Sequence, residues 1–394
     1  MNNFDFYNPV RVIFGEGVLS QLGAVAKEYG KKAVLVSYSD ISFYGDLFEK
    51  LHKSLSDAGI EFVDYLAITA NPTLKQALGG IELCNSFGAD FVIGIGGGSA
   101  MDCAKVIAAG VKYPHEISKM ISFSHSDNSQ IPPVEALPTI MIPTLPATGS
   151  EMNPTAVITD EVSHRKSYVW APSCLYAKVA LVDPSLSKTL PAYQTACGGL
   201  DTIAHTVEGY FNGDRNVNLD LQDRLQEGLI RTVLDNLPKV LKNPDDIQTR
   251  GVMQWASAIA LNGWVLSGTF GWAPMHQLGH VLSTRYNATH GATLSIIMIA
   301  WLKFWSNRDD NDRYVQFAQR VFGKDLESAI AEFEEFIKKS GIQTRISELG
   351  AKSDDIDMLV EDVVRISFNA DGVLGSVPPI TKEDVKKIYT IALV

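Results

Sequence analysis

Four cysteines in 394 residues, with no C-x-x-C spacing among them, leave no material for a disulfide framework or a thiolate metal cage. Cys84, Cys103, Cys174 and Cys197 are therefore expected to be reduced thiols of a cytoplasmic protein. Basic residues are also in short supply. The 34 Lys and Arg stand against 45 Asp and Glu, for a net charge of −11. That balance argues against a nucleic-acid or anionic-membrane partner, since both need a basic face. Long apolar runs are missing too: the longest, Ile296 to Leu302, falls far short of the ~20 residues that span a bilayer. The opening stretch, Met1 to Gly17, has no basic start followed by an apolar run, so no signal peptide is expected. No repeat of fixed period is present, and no stretch is polar enough to read as disordered.

What remains is a globular composition, 46% hydrophobic and 20% charged, over a length that calls for two domains. In the first half, short β-rich runs (33–36, 61–63, 91–95, 139–142, 180–182) alternate with helical patterns at 46–58 and 74–87. That alternation implies a mainly parallel sheet covered on both faces. After Asp183-Pro184 the β-branched runs fade. Helix-period patterns then cover 194–211, 217–236, 247–266, 274–285, 291–305, 311–322, 325–340, 353–368 and 381–393. The expected division is an α/β domain over 1–188 and an all-helical domain over 189–394.

The helical half carries the most pointed chemistry. Asp201 and His205 stand four apart, as do His276 and His280, and His290 precedes Gly291. Residues at i and i+4 share a helix face, so each pair can aim two ligating atoms at one point. One carboxylate with several imidazoles suits zinc or ferrous iron rather than calcium or magnesium. The five candidates exceed the usual four ligands, and spacing does not say which histidine is left out. His52, His115, His125 and His164 are isolated among polar residues and are expected at a solvated surface.

At the other end of the chain, Gly94-Ile95-Gly96-Gly97-Gly98-Ser99 follows a strand and opens a helix through Met101 to Ala109. Glycines there admit a close ligand, and a helix N-terminus offers free N–H groups to pyrophosphate. The third glycine comes too early for the usual dinucleotide fingerprint. Asp102 either caps this helix or lies near a cofactor. A second flexible stretch, Pro143 to Glu151 with Asn153 behind it, suits phosphate or ribose contacts, or is a plain turn. Both loops fall at strand carboxyl ends, where parallel sheets bind ligands.

With these residues in view, the chain resembles the iron-containing (group III) alcohol dehydrogenases, in their butanol dehydrogenase and aldehyde reductase branch. The likeness runs from Pro9–Gly17 through Asn71-Pro72-Thr73, Gly96–Ser99 with Asp102 and Lys105, and Pro143–Glu151. It continues through Asp201–His205, His276–His280 and His290-Gly291 to Thr381–Asp384. The resemblance implies a fold like dehydroquinate synthase, with a Rossmann-like α/β N-terminal domain, an all-α C-terminal domain and the active site between them. It implies metal ligands Asp201, His205, His276 and His290, and puts His280 near the nicotinamide as the candidate for proton exchange. It implies cofactor contacts from Asn71, Gly97, Gly98, Ser99, Thr144, Leu145, Thr148, Asn153 and Lys166.

Two departures stand out. Where branch members using NADPH often carry Gly-Gly-Gly-Ser, this chain reads Tyr38-Ser39-Asp40-Ile41-Ser42. A carboxylate such as Asp40 bonds a ribose hydroxyl and repels a 2′-phosphate, which favours NADH, although NAD and NADP both stay open. Gly271-Trp272-Ala273 stands where relatives often carry an Asp before the Trp. The expected activity is metal-dependent interconversion of short-chain or hydrophobic aldehydes and primary alcohols, with Trp264, Phe270 and Trp272 as candidate pocket walls. A non-redox enzyme of the dehydroquinate synthase type and a non-catalytic binding protein are the rival readings. The expected assembly is a homo-oligomer, in the first instance a dimer.

Overall fold

Val34, Leu35 and Val36 are all fully buried, although successive side chains of a strand point to opposite faces. Such a strand must be covered on both sides, and the whole sheet follows that rule. The computed structural model describes residues 1–121, 130–162, 165–214, 216–269 and 273–394. In chain order its first half contains β1 (Arg11–Phe14), α1 (Leu22–Ala26), β2 (Lys32–Tyr38), α2 (Leu47–Asp57), β3 (Glu61–Ile68) and α3 (Leu74–Phe87). These are followed by β4 (Phe91–Gly96), α4 (Gly98–Gly110), β5 (Thr139–Pro143), β6 (Thr155–Asp160), β7 (Arg165–Trp170) and β8 (Val179–Val182).

Six strands form one sheet in the order β1-β8-β5-β4-β2-β3, with every neighbouring pair parallel. Odd and even residues sort its two faces. Ala33, Leu35, Phe91, Ile93, Ile95, Ile140 and Ile142 pack under α1 and α2. Val34, Val36, Val92 and Met141 pack under α3 and α4. β6 and β7 form a separate antiparallel hairpin that the sequence reading did not anticipate. Strand order reverses between β2 and β4, which puts a crevice at their carboxyl ends, where open α/β sheets take ligands.

The second half is helical: α5 (Ala192–Phe211), α6 (Asp220–Lys242), α7 (Ile247–Leu261), α8 (Pro274–Tyr286) and α9 (His290–Ser306). It ends with α10 (Asp312–Phe317), α11 (Leu326–Lys339), α12 (Ile356–Ser367) and α13 (Lys382–Leu393). These helices share one apolar core that runs from Ala196 to Ala392. α9 is apolar on all sides, as a helix enclosed by others must be. No helix among the described residues is long and apolar enough to cross a membrane.

Several helix boundaries differ from the sequence expectation. α6 continues through Pro238 to Lys242 instead of ending at 236. α7 stops at Leu261 instead of 266, because Gly263 takes a positive φ of 93°. The segment expected as one helix over 311–322 narrows to α10 and continues as a wider π turn over Ala318–Phe322.

The two halves meet through close backbone approaches and a strap. A methyl group on Gly198 of α5 would lie 2.1 Å from the Pro146 carbonyl oxygen, and one on Gly149 would lie 2.6 Å from that of Ser257. The first residues of the chain cross between the halves. The Asn8 amide donates to Met152 O at 2.8 Å and to Asn262 O at 3.0 Å, and Phe6 meets Trp264 edge-on.

Gly291 makes the equivalent contact inside the helical half, where a Cβ would lie 2.1 Å from the Cys197 carbonyl oxygen of α5. Gly228, exposed on α6, has no neighbour within 4 Å of such a position. Gly291→Ala is therefore expected to cost about 1–3 kcal/mol by overpacking. Gly228→Ala should instead gain up to about 1 kcal/mol of helix propensity. Urea unfolding midpoints moving in opposite directions would verify the pair.

Candidate active site

One cavity of about 1220 Å³ lies at the carboxyl ends of β2, β4 and β5 and is closed on its far side by α5, α8 and α9. Every residue that the sequence marked for cofactor or metal lines it.

The sheet side is built from strand ends. Gly96 needs its positive φ of 144°, and a Cβ there would strike Ala100 and Tyr38. A Cβ on Gly98 would lie 2.6 Å from the Thr148 side chain. These two glycines therefore make room for the protein's own atoms, a different use from the ligand approach expected of them. α4 starts at Gly98, within the glycine stretch expected to open it, and has no side-chain cap at Gly97. Ala100 N bonds back to Gly97 O, and the N–H groups of Gly98 and Ser99 stay available at the cavity. Leu145 lines the same wall, and the hydroxyl of Thr144 meets that of Tyr44 at 3.3 Å. Asp40 sits at the outer end with its carboxylate bonded to Ser42 N at 2.9 Å. The Ser42 hydroxyl and N–H hold the Asp40 carboxyl below its ordinary range.

Asp102 is not a helix cap. Its carboxylate accepts from the Ser150 hydroxyl at 2.5 Å and from Val157 N at 2.9 Å, so it ties α4 to the loop and hairpin that follow. Asn153 is equally engaged: its amide donates to Thr148 O and Gly149 O, and its oxygen accepts from Lys105 and Thr155 N. Fully buried Lys105 also donates to Asn153 O and Thr155 O, both at 2.8 Å. Asp102 and Asn153 both touch the cavity, yet their hydrogen-bonding capacity is used to shape its wall.

Lys166 projects from β7 and donates to the Asn71 side-chain oxygen at 2.9 Å. Asn71 itself takes a left-handed φ of 58°, a strained conformation that tends to collect at functional sites. Burial pulls the Lys166 ammonium down to about 8, against the opposing pull of Asp201 and Asp102. Lys166 is the only Lys or Arg among the described lining residues.

The helical wall carries the acid and the imidazoles. One ligating atom each from Asp201, His276 and His290 falls within a 4.8 Å group. His205 stands beside them, its Nδ1 3.9 Å from Asp201 Oδ1 and its ring 4.6 Å from that of His276. His280 is set back, with its ring 5.0 Å from His290 and 6.3 Å from His276. Asp201 Oδ1, His205 Nδ1, His276 Nε2, His280 Nδ1 and His290 Nδ1 are all buried without a hydrogen-bond partner.

Burial raises the Asp201 carboxyl above its ordinary value, partly offset by His205 and Lys166. It lowers His205 to about 4 and His276 to about 3, and takes His280 and His290 well below the imidazole range. Neutral imidazoles keep their lone pairs for coordination. Convergent orphaned donors of this N/O composition fit a divalent cation such as zinc or ferrous iron.

One participant was missed from the sequence. Glu208 on α5 accepts from the backbone N–H of His276 and is hydrogen-bonded to its ring Nδ1. Its position, seven residues after Asp201 and three after His205, places it on the same helix face and was a usable signal. Among the expected surface histidines, His115 is exposed, whereas half-buried His52 stacks on Phe62 and meets Asp64 at 2.9 Å. His125 and His164 lie outside the described residues, as do Phe270, Gly271 and Trp272. Trp264 is not a pocket wall; it is 55% exposed and packs against Phe6.

The chain is similar to known proteins along its whole length. The family model "Iron-containing alcohol dehydrogenase" matches residues 9–184, and "Fe-containing alcohol dehydrogenase family, C-terminal" matches residues 195–393. NADH-dependent butanol dehydrogenase A of Clostridium acetobutylicum is 32% identical, with 99% of each chain covered. NADPH-dependent aldehyde reductase YqhD of Escherichia coli is 30% identical, with both chains covered in full. The crystal structure of NADH-dependent butanol dehydrogenase A from Thermotoga maritima superposes with a TM-score of 0.93 at 32% identity, covering 100% of this chain and 99% of the other. With both halves matched by family models and relatives of 30% identity or more along its whole length, the chain belongs to the iron-containing alcohol dehydrogenase family.

Proposed function

We propose that the chain is a metal-dependent NAD(P)H oxidoreductase that interconverts short-chain or hydrophobic aldehydes and primary alcohols. The observation that carries this reading is the cluster of unpartnered Asp201, His205, His276 and His290 atoms in the same cavity as the uncapped start of α4. The names of the relatives support the substrate class, and they include both NADH- and NADPH-dependent enzymes.

In this reading Asp201, His205, His276 and His290 hold one divalent ion, iron or zinc. The N–H groups at Gly97, Gly98 and Ser99, with the hydroxyls of Thr144 and Thr148, bind the pyrophosphate of the dinucleotide. Asn71 and Lys166 orient its nicotinamide end, and Leu145, Asp102 and Asn153 shape the wall beside it. When bound, the cation supplies polarisation of a carbonyl oxygen and the dinucleotide supplies the hydride. Leu261, Leu266 and Leu374 line the cavity and keep water from the reacting carbon. His280, through its unpartnered Nδ1, exchanges the alcohol proton with solvent.

A dehydroquinate synthase-type reaction on a phosphorylated substrate is less favoured, because Lys166 is the sole cation among the described lining residues. We further propose a domain division at 188/189. The buried clusters of the sheet half end at Ala177 and Leu181, and that of the helical half begins at Ala196. A homodimer is proposed from the edge position of β1, whose Phe14 is exposed beside Trp255. Four unpaired thiols support a cytoplasmic setting.

His276→Ala should lose bound metal, and its turnover should fall by about 10²-fold or more, with the circular dichroism spectrum unchanged. His280→Ala should keep its metal and lose rate. NADH consumption with butanal, run beside elemental analysis, reads both; full activity in metal-free, chelator-treated protein would sink the proposal. Asp40→Gly should shift the NADH-to-NADPH preference toward NADPH by about tenfold, a change of ~1.4 kcal/mol. The kcat/KM ratio for the two cofactors measures it.

A further inference from the structure

Three groups on α5 share one face: Asp201, His205 and Glu208, at i, i+4 and i+7. The first two point toward the ligand cluster. Glu208 is buried behind it and takes no part in the chemistry assigned above. Its Oε1 accepts from His276 N at 2.8 Å and lies 3.0 Å from His276 Nδ1, a second hydrogen bond. Its Oε2 accepts from the Asn212 amide at 2.9 Å, and the Asn212 oxygen accepts from the Ser376 hydroxyl at 2.8 Å. Ser376 directly follows Leu374 and Gly375, which line the cavity.

Burial raises the Glu208 carboxyl well above its ordinary range, partly offset by the backbone N–H groups of His276 and Met275 and by Asn212, and in either charge state its contact to Nδ1 occupies that ring nitrogen. That leaves Nε2 as the ring nitrogen free for an ion, and Nε2 is the buried atom without a partner. Each further link removes a way for the carboxylate to turn. Oε2 is pinned by Asn212, and Asn212 is pinned by Ser376. The outcome is an imidazole whose plane is fixed before any ion arrives, with Nδ1 turned to Glu208 and Nε2 turned away from it.

We propose that Glu208 is a positioning residue for metal binding: it fixes the orientation of His276 and accepts the Nδ1 hydrogen when Nε2 takes an ion. Asn212 and Ser376 hold Glu208 in place and thereby join the cavity-lining turn at 374–376 to the metal site. The proposal rests on the reading that His276 is a metal ligand. A plainer role competes with it, since His276 N belongs to the first turn of α8, which has no side-chain cap at Ala273. Glu208 would then do no more than satisfy a helix terminus.

Zinc affinity separates the two roles. Metal-free full-length protein is titrated with zinc against a chromophoric chelator, and thermal midpoints are recorded without metal. In Glu208→Gln the isosteric amide either turns its NH2 group toward His276, which loses the bond from the backbone N–H, or turns it toward Asn212, whose own amide must then flip to accept it. Either way the imidazole loses a charged partner that strengthens its hold on an ion. Zinc should bind about 10–100-fold more weakly, the usual loss for an outer partner of a ligating histidine. Ser376→Ala, at the far end of the string, should weaken it by about threefold through the shared network. A helix-capping role would lower the thermal midpoint and leave zinc affinity unchanged. That result in both variants would overturn the proposal. Should Glu208→Gln not fold, Ser376→Ala decides alone, and unchanged zinc affinity overturns it. If wild-type protein and His276→Ala bind zinc equally, the ligand reading fails as well. If His276→Ala loses zinc while both other variants keep it, only the present inference fails.

Discussion

A carboxylate and four imidazoles facing one another without partners is an arrangement that burial penalises, and the rest of this structure is organised around tolerating it. Each unsatisfied buried polar atom costs about 1–3 kcal/mol, and Asp201, His205, His276, His280 and His290 each contribute one. The cost shows in their protonation, with the Asp201 carboxyl raised and every imidazole lowered by burial. Lys166, reaching over from β7, is the one opposite charge among the described lining residues. A divalent ion would convert the penalty into binding energy, which in such sites adds directly to folding stability.

Bringing those groups together takes backbone proximity that only missing side chains allow. α9 delivers His290 to α5 because Gly291 lies on the Cys197 carbonyl, where no Cβ would fit. The sheet half meets the same helix because Gly198 lies under Pro146. Ligand bonds near 2 Å tolerate little displacement, so these contacts decide whether the cluster converges at all. On the opposite wall Asp102, Lys105 and Asn153 have the matching task. They lock α4, the Thr148–Thr155 loop and the β6–β7 hairpin into one surface.

Much of this was legible in the sequence, wherever the signal was periodic and local. The i, i+4 pairs reported a shared face, and the buried β-branched runs marked β2, β4, β5 and β8. The alternation of strand and helix specified a doubly covered parallel sheet. What could not be read was set by tertiary contact. β6 and β7 mix polar and apolar residues, because Ala156, Ile158 and Val169 pack into the core while Thr155, Val157, Lys166 and Tyr168 line the cavity. Asp102 has the chemistry of a cap, and only the folded chain brings Ser150 and Val157 to it. Pro238 is a sound stop signal in isolation, yet α6 continues past it, with Leu237 and Val240 buried on either side. Glu208 was in plain view at the right spacing. Its meaning depended on His276, sixty-eight positions downstream.

The strap formed by the opening residues limits how the cavity can be filled. Asn8 bonds the carbonyls of Met152 and Asn262, one on each side of the junction, while Phe6 leans on Trp264 and Gly149 lies against Ser257. Parts laced together in this way resist jackknifing apart. Whatever the cavity takes in is accommodated between walls already held at their spacing.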